Sequence, residues 1–130
     1  MGQPAAKMGD SVTATDTHII MIPSPGGPVP TPTPMPFDGA IASQCSETVL
    51  IDGQPAAVVG SMAMNQPPHI PAGGPFQVPP TNQATIIMGS ETVMIDGQPA
   101  ARNGDTATTC NDPAPLPVGT VVAVSTVLIG

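Results

Sequence analysis

Short apolar runs, rather than a helical periodicity, organise this chain. Residues 85–88 and 92–95 are β-branched or apolar, residues 121–124 form a similar run, and residues 40–42 form a weaker one. Runs of this length and composition are typical of β-strands. Every window with apolar residues at helical spacing is interrupted by Pro or Gly. We therefore predict an all-β fold with essentially no helix.

The strongest pattern is an internal repeat. Residues 46–57 read SETVLIDGQPAA, and residues 90–101 read SETVMIDGQPAA, so that only Leu50 and Met94 differ. A repeat of this kind indicates that one structural unit is used more than once. The Asp-Gly steps inside it, Asp52-Gly53 and Asp96-Gly97, predict tight turns between paired strands. Each unit is thus a short β-meander.

A third unit is divided between the two ends of the sequence. Residues 2–6 read GQPAA, like the end of the repeat, and residues 125–130 read STVLIG, like its leading strand. We expect these two segments to pair, so that three equivalent units with pseudo-threefold symmetry close into a ring. This gives a single domain over residues 1–130, in which repeat 1 covers about 1–22 plus 119–130, repeat 2 about 40–70 and repeat 3 about 84–112.

Two long connections, residues 23–36 and 67–80, are rich in proline. We predict ordered, extended loops there, because proline fixes φ and leaves little conformational entropy to lose. Flexible linkers are the alternative. Both connections contain Gly-Gly-Pro shortly after a histidine, which favours the ordered form.

Charge and composition exclude several classes of partner. Lys7 and Arg102 are the only cations, and the formal net charge is −7. Such a chain cannot neutralise a phosphate backbone, so we expect no nucleic-acid binding and no adhesion to anionic lipid. Phe37 and Phe76 are the only aromatic side chains, which leaves a thin core that needs further support. No signal peptide is recognised, so we expect synthesis in the cytoplasm.

The two histidines occupy the same place in two repeats. His18 lies 16 residues after Gly2, and His69 lies 16 residues after Gly53, while Cys110 lies 13 residues after Gly97. Equivalent positions of three units around a ring converge on its axis. Two imidazoles and one thiol supply three of the four ligands of a structural zinc site. We take Cys45 as the fourth candidate, with Asp16 and Asp112 in reserve.

Other interpretations of these residues stay open at this point. Cys45 and Cys110 could form a disulfide or remain buried thiols, and a lone histidine is usually solvated. No nucleophile elbow, helical zinc-protease motif or phosphate-binding loop is present in the sequence. The alternative functions are a small zinc metalloenzyme and a Pro-rich protein-binding module.

The repeat also carries a family resemblance. Residues 54–57 (QPAA) and 98–102 (QPAAR), each preceded by Asp-Gly, resemble the Pro-Ala-Ala-Arg motif of the PAAR-repeat family. Only the last copy has the arginine, Arg102. In the first and second copies Lys7 and Val58 stand in its place. The resemblance implies a β-cone of three repeats with a zinc ion near its apex, and His18, His69 and Cys110 match the ligand-bearing segments. The family commonly supplies one more histidine, which this sequence lacks.

The resemblance also implies a function. Members of the family cap a trimeric spike protein of the VgrG type in type VI secretion systems and related phage-tail-like particles. We therefore expect a non-enzymatic tip, one per trimer, that sharpens the spike and helps to pierce a target envelope. Expected partners are the spike trimer, a target membrane in transient contact and, in some systems, effector cargo. We expect such a tip to be delivered outside the producing cell or into target cells.

Overall fold

The all-β prediction is confirmed by a computed structural model, which describes residues 2–130. No helix occurs within these residues, and consequently none that is long and apolar enough to cross a membrane. The strands, numbered in chain order, are β1 (Gln3–Pro4), β2 (Ser11–Ile22), β3 (Val29–Ser43), β4 (Leu50–Ile51), β5 (Gln54–Pro55), β6 (Met62–Asn65), β7 (Gln83–Ile86), β8 (Met94–Ile95), β9 (Gln98–Pro99), β10 (Thr106–Thr109), β11 (Leu116–Val122) and β12 (Leu128–Ile129).

Six of these strands form a closed antiparallel barrel. Their order around the barrel is β10-β11-β2-β3-β6-β7. Side chains alternate between the interior and the surface, as the period-2 pattern requires. The barrel interior holds one apolar cluster, whose larger members include Val12, Phe37, Ile41, Ile86 and Val121. Closure leaves the six strands without a continuous open edge.

The remaining strands form three two-stranded sheets, which are the repeated units. These are β4-β5, β8-β9 and β1-β12. In the last of them Gln3 pairs with Ile129, so the predicted closure between the two ends of the sequence is confirmed. Asp52 and Gly53 have φ of 48° and 85°, as a type I′ hairpin turn requires, and the equivalent Asp96 and Gly97 have the same conformation.

A cycle of backbone hydrogen bonds joins the three units at their centre. Ala6 N–H donates to Ala101 O (2.9 Å), Ala101 N–H donates to Ala57 O (3.0 Å), and Ala57 N–H donates to Ala6 O (3.0 Å). We call these three residues the alanine triangle. Each is at most 1% exposed. The arrangement explains the paired alanines of the repeat, since only small side chains let three backbones approach one axis so closely.

The first Pro-rich connection differs from the expectation. Residues 29–36 are not a loop, because β3 begins at Val29 and pairs with β2 as far as Ile22. The prolines at positions 30, 32, 34 and 36 are all exposed and alternate with inward-facing residues. In a β-strand the N–H groups of successive residues point to opposite sides. Because the prolines occupy every second position, the N–H groups that they lack would all face away from β2, and the hydrogen bonds to β2 are kept. We call residues 17–22 and 29–34 the hairpin arm.

The second connection, residues 67–80, contains no named strand, as expected. It is nevertheless tied to the hairpin arm. Met21 N–H donates to Pro75 O (2.8 Å), and Gln77 N–H donates to Ile19 O (2.8 Å). Phe76 forms an isolated bridge with Ile20 between these two bonds. The loop therefore covers the edge of β2 that β3 leaves free.

Candidate metal centre

Four side chains from three separate parts of the chain meet where the barrel passes into the hairpin arm. Asp16 and His18 lie two residues apart on β2, so both face the interior, and both are at most 1% exposed. His69 comes from the 67–80 loop, and Cys110 follows the end of β10. One ligand atom of each residue lies within 4.8 Å of every other, which makes the cluster able to hold a metal ion.

The separations within the cluster are those of a compact donor set. Asp16 Oδ2 lies 2.9 Å from His69 Nε2, 3.4 Å from Cys110 Sγ and 3.9 Å from His18 Nε2. Cys110 Sγ lies 3.6 Å from His18 Nε2. Ligands at 2.0–2.3 Å in a tetrahedron are separated by about 3.3–3.6 Å. Small movements would thus bring all four atoms into contact with one ion.

Polar groups also surround the cluster on its outer side. Asp16 Oδ1 accepts a hydrogen bond from Thr109 Oγ1 (2.5 Å), which leaves Oδ2 pointing at the other three donors. His18 Nδ1 lies 3.7 Å from Asp112 Oδ2. Asp112 is itself fixed, because its Oδ2 accepts from Ile19 N–H (2.8 Å). Groups in such positions orient the residues that bind a metal.

Burial sets the protonation of the thiol and of one imidazole. Burial, followed by the nearby Asp16 carboxylate, raises the pKa of the Cys110 thiol to about 11. Burial, followed by the neighbouring His69, lowers the pKa of His18, although Asp112 and Asp16 oppose that change. At neutral pH the thiol is therefore protonated and His18 is neutral. A bound cation would reverse the preference of the thiol and hold it as the thiolate.

The donor set fits a metal ion of borderline softness. Two imidazole nitrogens, one thiolate sulfur and one carboxylate oxygen are all accepted by Zn²⁺, which takes N, S and O ligands in a tetrahedron. His18 Nδ1 is the one buried side-chain N or O atom without a hydrogen-bond partner in the described part of the chain. The nearest acceptor to this nitrogen, Asp112 Oδ2, is 3.7 Å away, which is too far for a hydrogen bond, while His18 Nε2 lies 3.6 Å from Cys110 Sγ.

The structure brings together three of the four residues chosen from the sequence. Cys45 is elsewhere: its thiol donates to Ser43 O (3.8 Å), and its half-buried side chain packs against the barrel core. Asp16, a reserve candidate, lies where the fourth ligand was expected. Its position two residues before His18 on one strand was the sequence signal for this, since the two side chains share a face.

The alternative of a disulfide does not hold. Cys45 and Cys110 are both free thiols. Cys45 lies just after β3 and close to the hairpin sheets, whereas Cys110 lies inside the cluster. Although both cysteines contact the apolar core of the barrel, they are not bonded to each other, and the donor cluster contains a single sulfur.

Comparison with known proteins gives one family. The model described as "PAAR motif" matches residues 21–115 and, in a second match, residues 77–130. Together these matches span residues 21–130, which is most of the chain, and they include the alanine pairs at 56–57 and 100–101. The first pair, at residues 5–6, lies before them. No curated protein matches the sequence significantly.

Proposed function

Because the chain belongs to the PAAR motif family, we propose that it is the non-enzymatic tip of a contractile injection system, stiffened by a structural zinc ion and seated on a trimeric spike. The observation that carries this proposal is the alanine triangle, because it gives one chain three nearly equivalent sides. A single copy with this geometry can match the threefold end of a trimer of the VgrG type.

An exposed apolar residue recurs on each of the three sides. Leu50, Met94 and Leu128 occupy the same position of the repeat and are 60%, 57% and 64% exposed. The isoleucine that follows each of them points inward instead, at no more than 8% exposure. Large apolar side chains held at equivalent exposed positions are typical of an interaction surface. We call these three residues the apolar ring, and we assign the spike to it.

The metal centre supports a structural role. Asp16, His18, His69 and Cys110 would fill the tetrahedron of a zinc ion and leave no position for water. The small metalloenzyme considered above needs such an open position. A zinc ion here would instead join β2, the 67–80 loop and the end of β10. In a fold with two phenylalanines and no larger aromatic side chain, this link supplies stability that the core lacks.

The extended hairpin arm is the part of the molecule that we assign to the point of the tip. Val29 pairs with Ile22 at the far end of the long β2-β3 ladder, away from the repeat hairpins. Transient contact with a target membrane would occur at this end. Such a tip would leave the producing cell as part of the particle.

The test is a binding experiment with a purified trimeric spike protein. We expect one chain per trimer by light scattering, and we expect loss of binding when Leu50, Met94 and Leu128 are all replaced by Glu. Val29→Glu in the hairpin arm is the matched control, because Val29 is also exposed, at 47%. Three chains per trimer, or equal loss with the control, would contradict the proposal. Far-UV circular dichroism must show that both variants keep the β fold.

A further inference from the structure

The two histidines of the cluster face different groups on the side away from the other ligands. His18 Nδ1 faces a carboxylate oxygen, Asp112 Oδ2, at 3.7 Å. His69 Nδ1 faces the amide nitrogen of Asn65 at 3.3 Å. A neutral imidazole carries its proton on one nitrogen only, and the group facing Nδ1 helps to decide which. The two rings are therefore held differently.

The orientation of the Asn65 amide follows from its other contacts. Asp38 N–H donates to Asn65 Oδ1 (2.9 Å), so the atom in that position must be the oxygen. Asn65 Nδ2 donates to Asn82 Oδ1 (3.2 Å), and that oxygen also accepts from the backbone N–H of His69 (2.8 Å). Because backbone N–H groups are donors only, both amides are fixed. The group that faces His69 Nδ1 is consequently an NH₂ donor.

This donor favours one tautomer of His69. Nδ1 accepts from Asn65, so the ring proton belongs on Nε2, from which it is donated to Asp16 Oδ2 at 2.9 Å. A metal ion at Nε2 needs the lone pair of that nitrogen and hence the proton on Nδ1. In that tautomer Nδ1–H would point at the Asn65 NH₂ group. His18 has no such conflict, because the group nearest to its Nδ1 is a carboxylate oxygen, Asp112 Oδ2 at 3.7 Å, which is an acceptor and not a donor.

We infer that Asn65 is a positioning residue that holds His69 in the tautomer unable to bind a metal and thereby weakens the metal centre, while Asp112 prepares His18 for binding. Metal binding then requires the Asn65 amide to turn over or to withdraw, together with its partner Asn82. The inferred effect of Asn65 on metal affinity rests on the proposed zinc site. The inferred tautomer does not depend on that site, since it follows only from the contacts of His69.

The first test measures the tautomers directly. Long-range ¹H–¹⁵N correlation spectra of the full chain, stripped of metal and held near pH 8, distinguish a protonated Nδ1 from a protonated Nε2. We expect His69 to carry its proton on Nε2 and His18 on Nδ1. Addition of Zn²⁺ should move the His69 proton to Nδ1. A His69 ring already protonated on Nδ1 before zinc is added would overturn the inference.

The second test is Asn65→Asp, which replaces the donor by a carboxylate that accepts from Nδ1–H. We expect zinc affinity to rise about 10-fold, the lower end of the range for groups that orient metal ligands. A merely structural role for Asn65 would make the same variant bind more weakly. Asn111→Asp is the matched control, because Asn111 is buried beside the cluster but hydrogen-bonds to Thr17 and Thr109 rather than to a histidine.

The two variants also separate charge from tautomer. An equal rise in affinity with Asn111→Asp would show that added negative charge alone is responsible, and it would overturn the role of Asn65. If neither the native chain nor any variant binds zinc, the proposed metal function fails. The tautomer inference is then judged by the spectra alone, in which Asn65→Asp should still move the His69 proton to Nδ1.

Discussion

Asp16 Oδ2 lies 2.9 Å from His69 Nε2, although 53 positions of sequence separate the two residues. The contact joins the interior face of β2 to a loop that contains no strand of its own. Thr109 holds the other oxygen of Asp16 and so directs Oδ2 into the cluster. The two histidines and Cys110 supply three donors, and the Asp16 carboxylate supplies the fourth.

The first prediction concerns the identity of the ligands. Asp16→Asn and Cys110→Ser should each lower zinc affinity by more than about 100-fold, because a residue that binds the ion contributes more than the 10–100-fold of the groups around it. Competition with a chromophoric chelator measures this. Cys45→Ser is the control and should leave the affinity unchanged, since Cys45 lies outside the cluster. A strong loss of zinc affinity with Cys45→Ser would show that Cys45 binds the ion and that the ligands are wrongly assigned.

The second prediction concerns pH. Because the pKa of Cys110 is raised to about 11, the thiol is protonated at neutral pH and must lose its proton when a metal binds. His18, whose pKa is lowered, is already neutral and releases none. Zinc affinity should therefore rise about tenfold per pH unit from near pH 7.5 towards the thiol pKa. Calorimetry in two buffers of different ionisation enthalpy should show one proton released per ion.

A pH-independent affinity in that range would contradict this assignment of the thiol. Cys110→Ser provides the internal check, because a serine hydroxyl has no proton to lose there. Its residual binding should show no proton release between pH 7.5 and 9.

Much of the fold could be predicted because the repeat is visible in the sequence. The likeness of residues 46–57 to 90–101 specifies two hairpins, and the similarity of residues 125–130 to their strands specifies the third. The hairpin arm could not be predicted in the same way. Alternating prolines at positions 30–36 suggest a loop, and they become compatible with a strand only because β3 pairs on one side there and leaves the other free.

The same contrast applies to the metal centre. His18, His69 and Cys110 were found because their offsets from the repeat glycines are similar, which is a property of the sequence. Cys45 is a candidate from the sequence because it occupies the inter-strand turn position equivalent to Gly89, but that position lies outside the cluster in the structure. The offsets from the repeat glycines do not identify Asp16 as a ligand. Only the two-residue period of β2 places it beside His18. The orientation of Asn65 depends on tertiary contacts that no local pattern encodes.

A third prediction concerns removal of the metal. The ion would connect β2, the 67–80 loop and the end of β10, so chelation should loosen the loop and the hairpin arm first. Hydrogen exchange at Gln77 and Met21, whose N–H groups bond across the two segments, should accelerate at least about tenfold. Exchange at the alanine triangle should change little. Uniform acceleration over the whole chain would show instead that the ion supports the fold globally.

The last prediction concerns the alanine triangle itself. Ala57→Leu inserts a larger side chain where three backbones meet, and it should lower the free energy of unfolding by about 1–3 kcal/mol or more. Denaturant unfolding with excess zinc present measures the loss. Ala42→Leu on β3 is the matched control, because Ala42 is exposed and the same change there meets no packed neighbours. Since the triangle holds the three sides of the apolar ring in register, Ala57→Leu should also weaken binding to a trimeric spike. Unchanged stability with Ala57→Leu would mean that the axis has room for larger side chains and that the paired alanines have another cause.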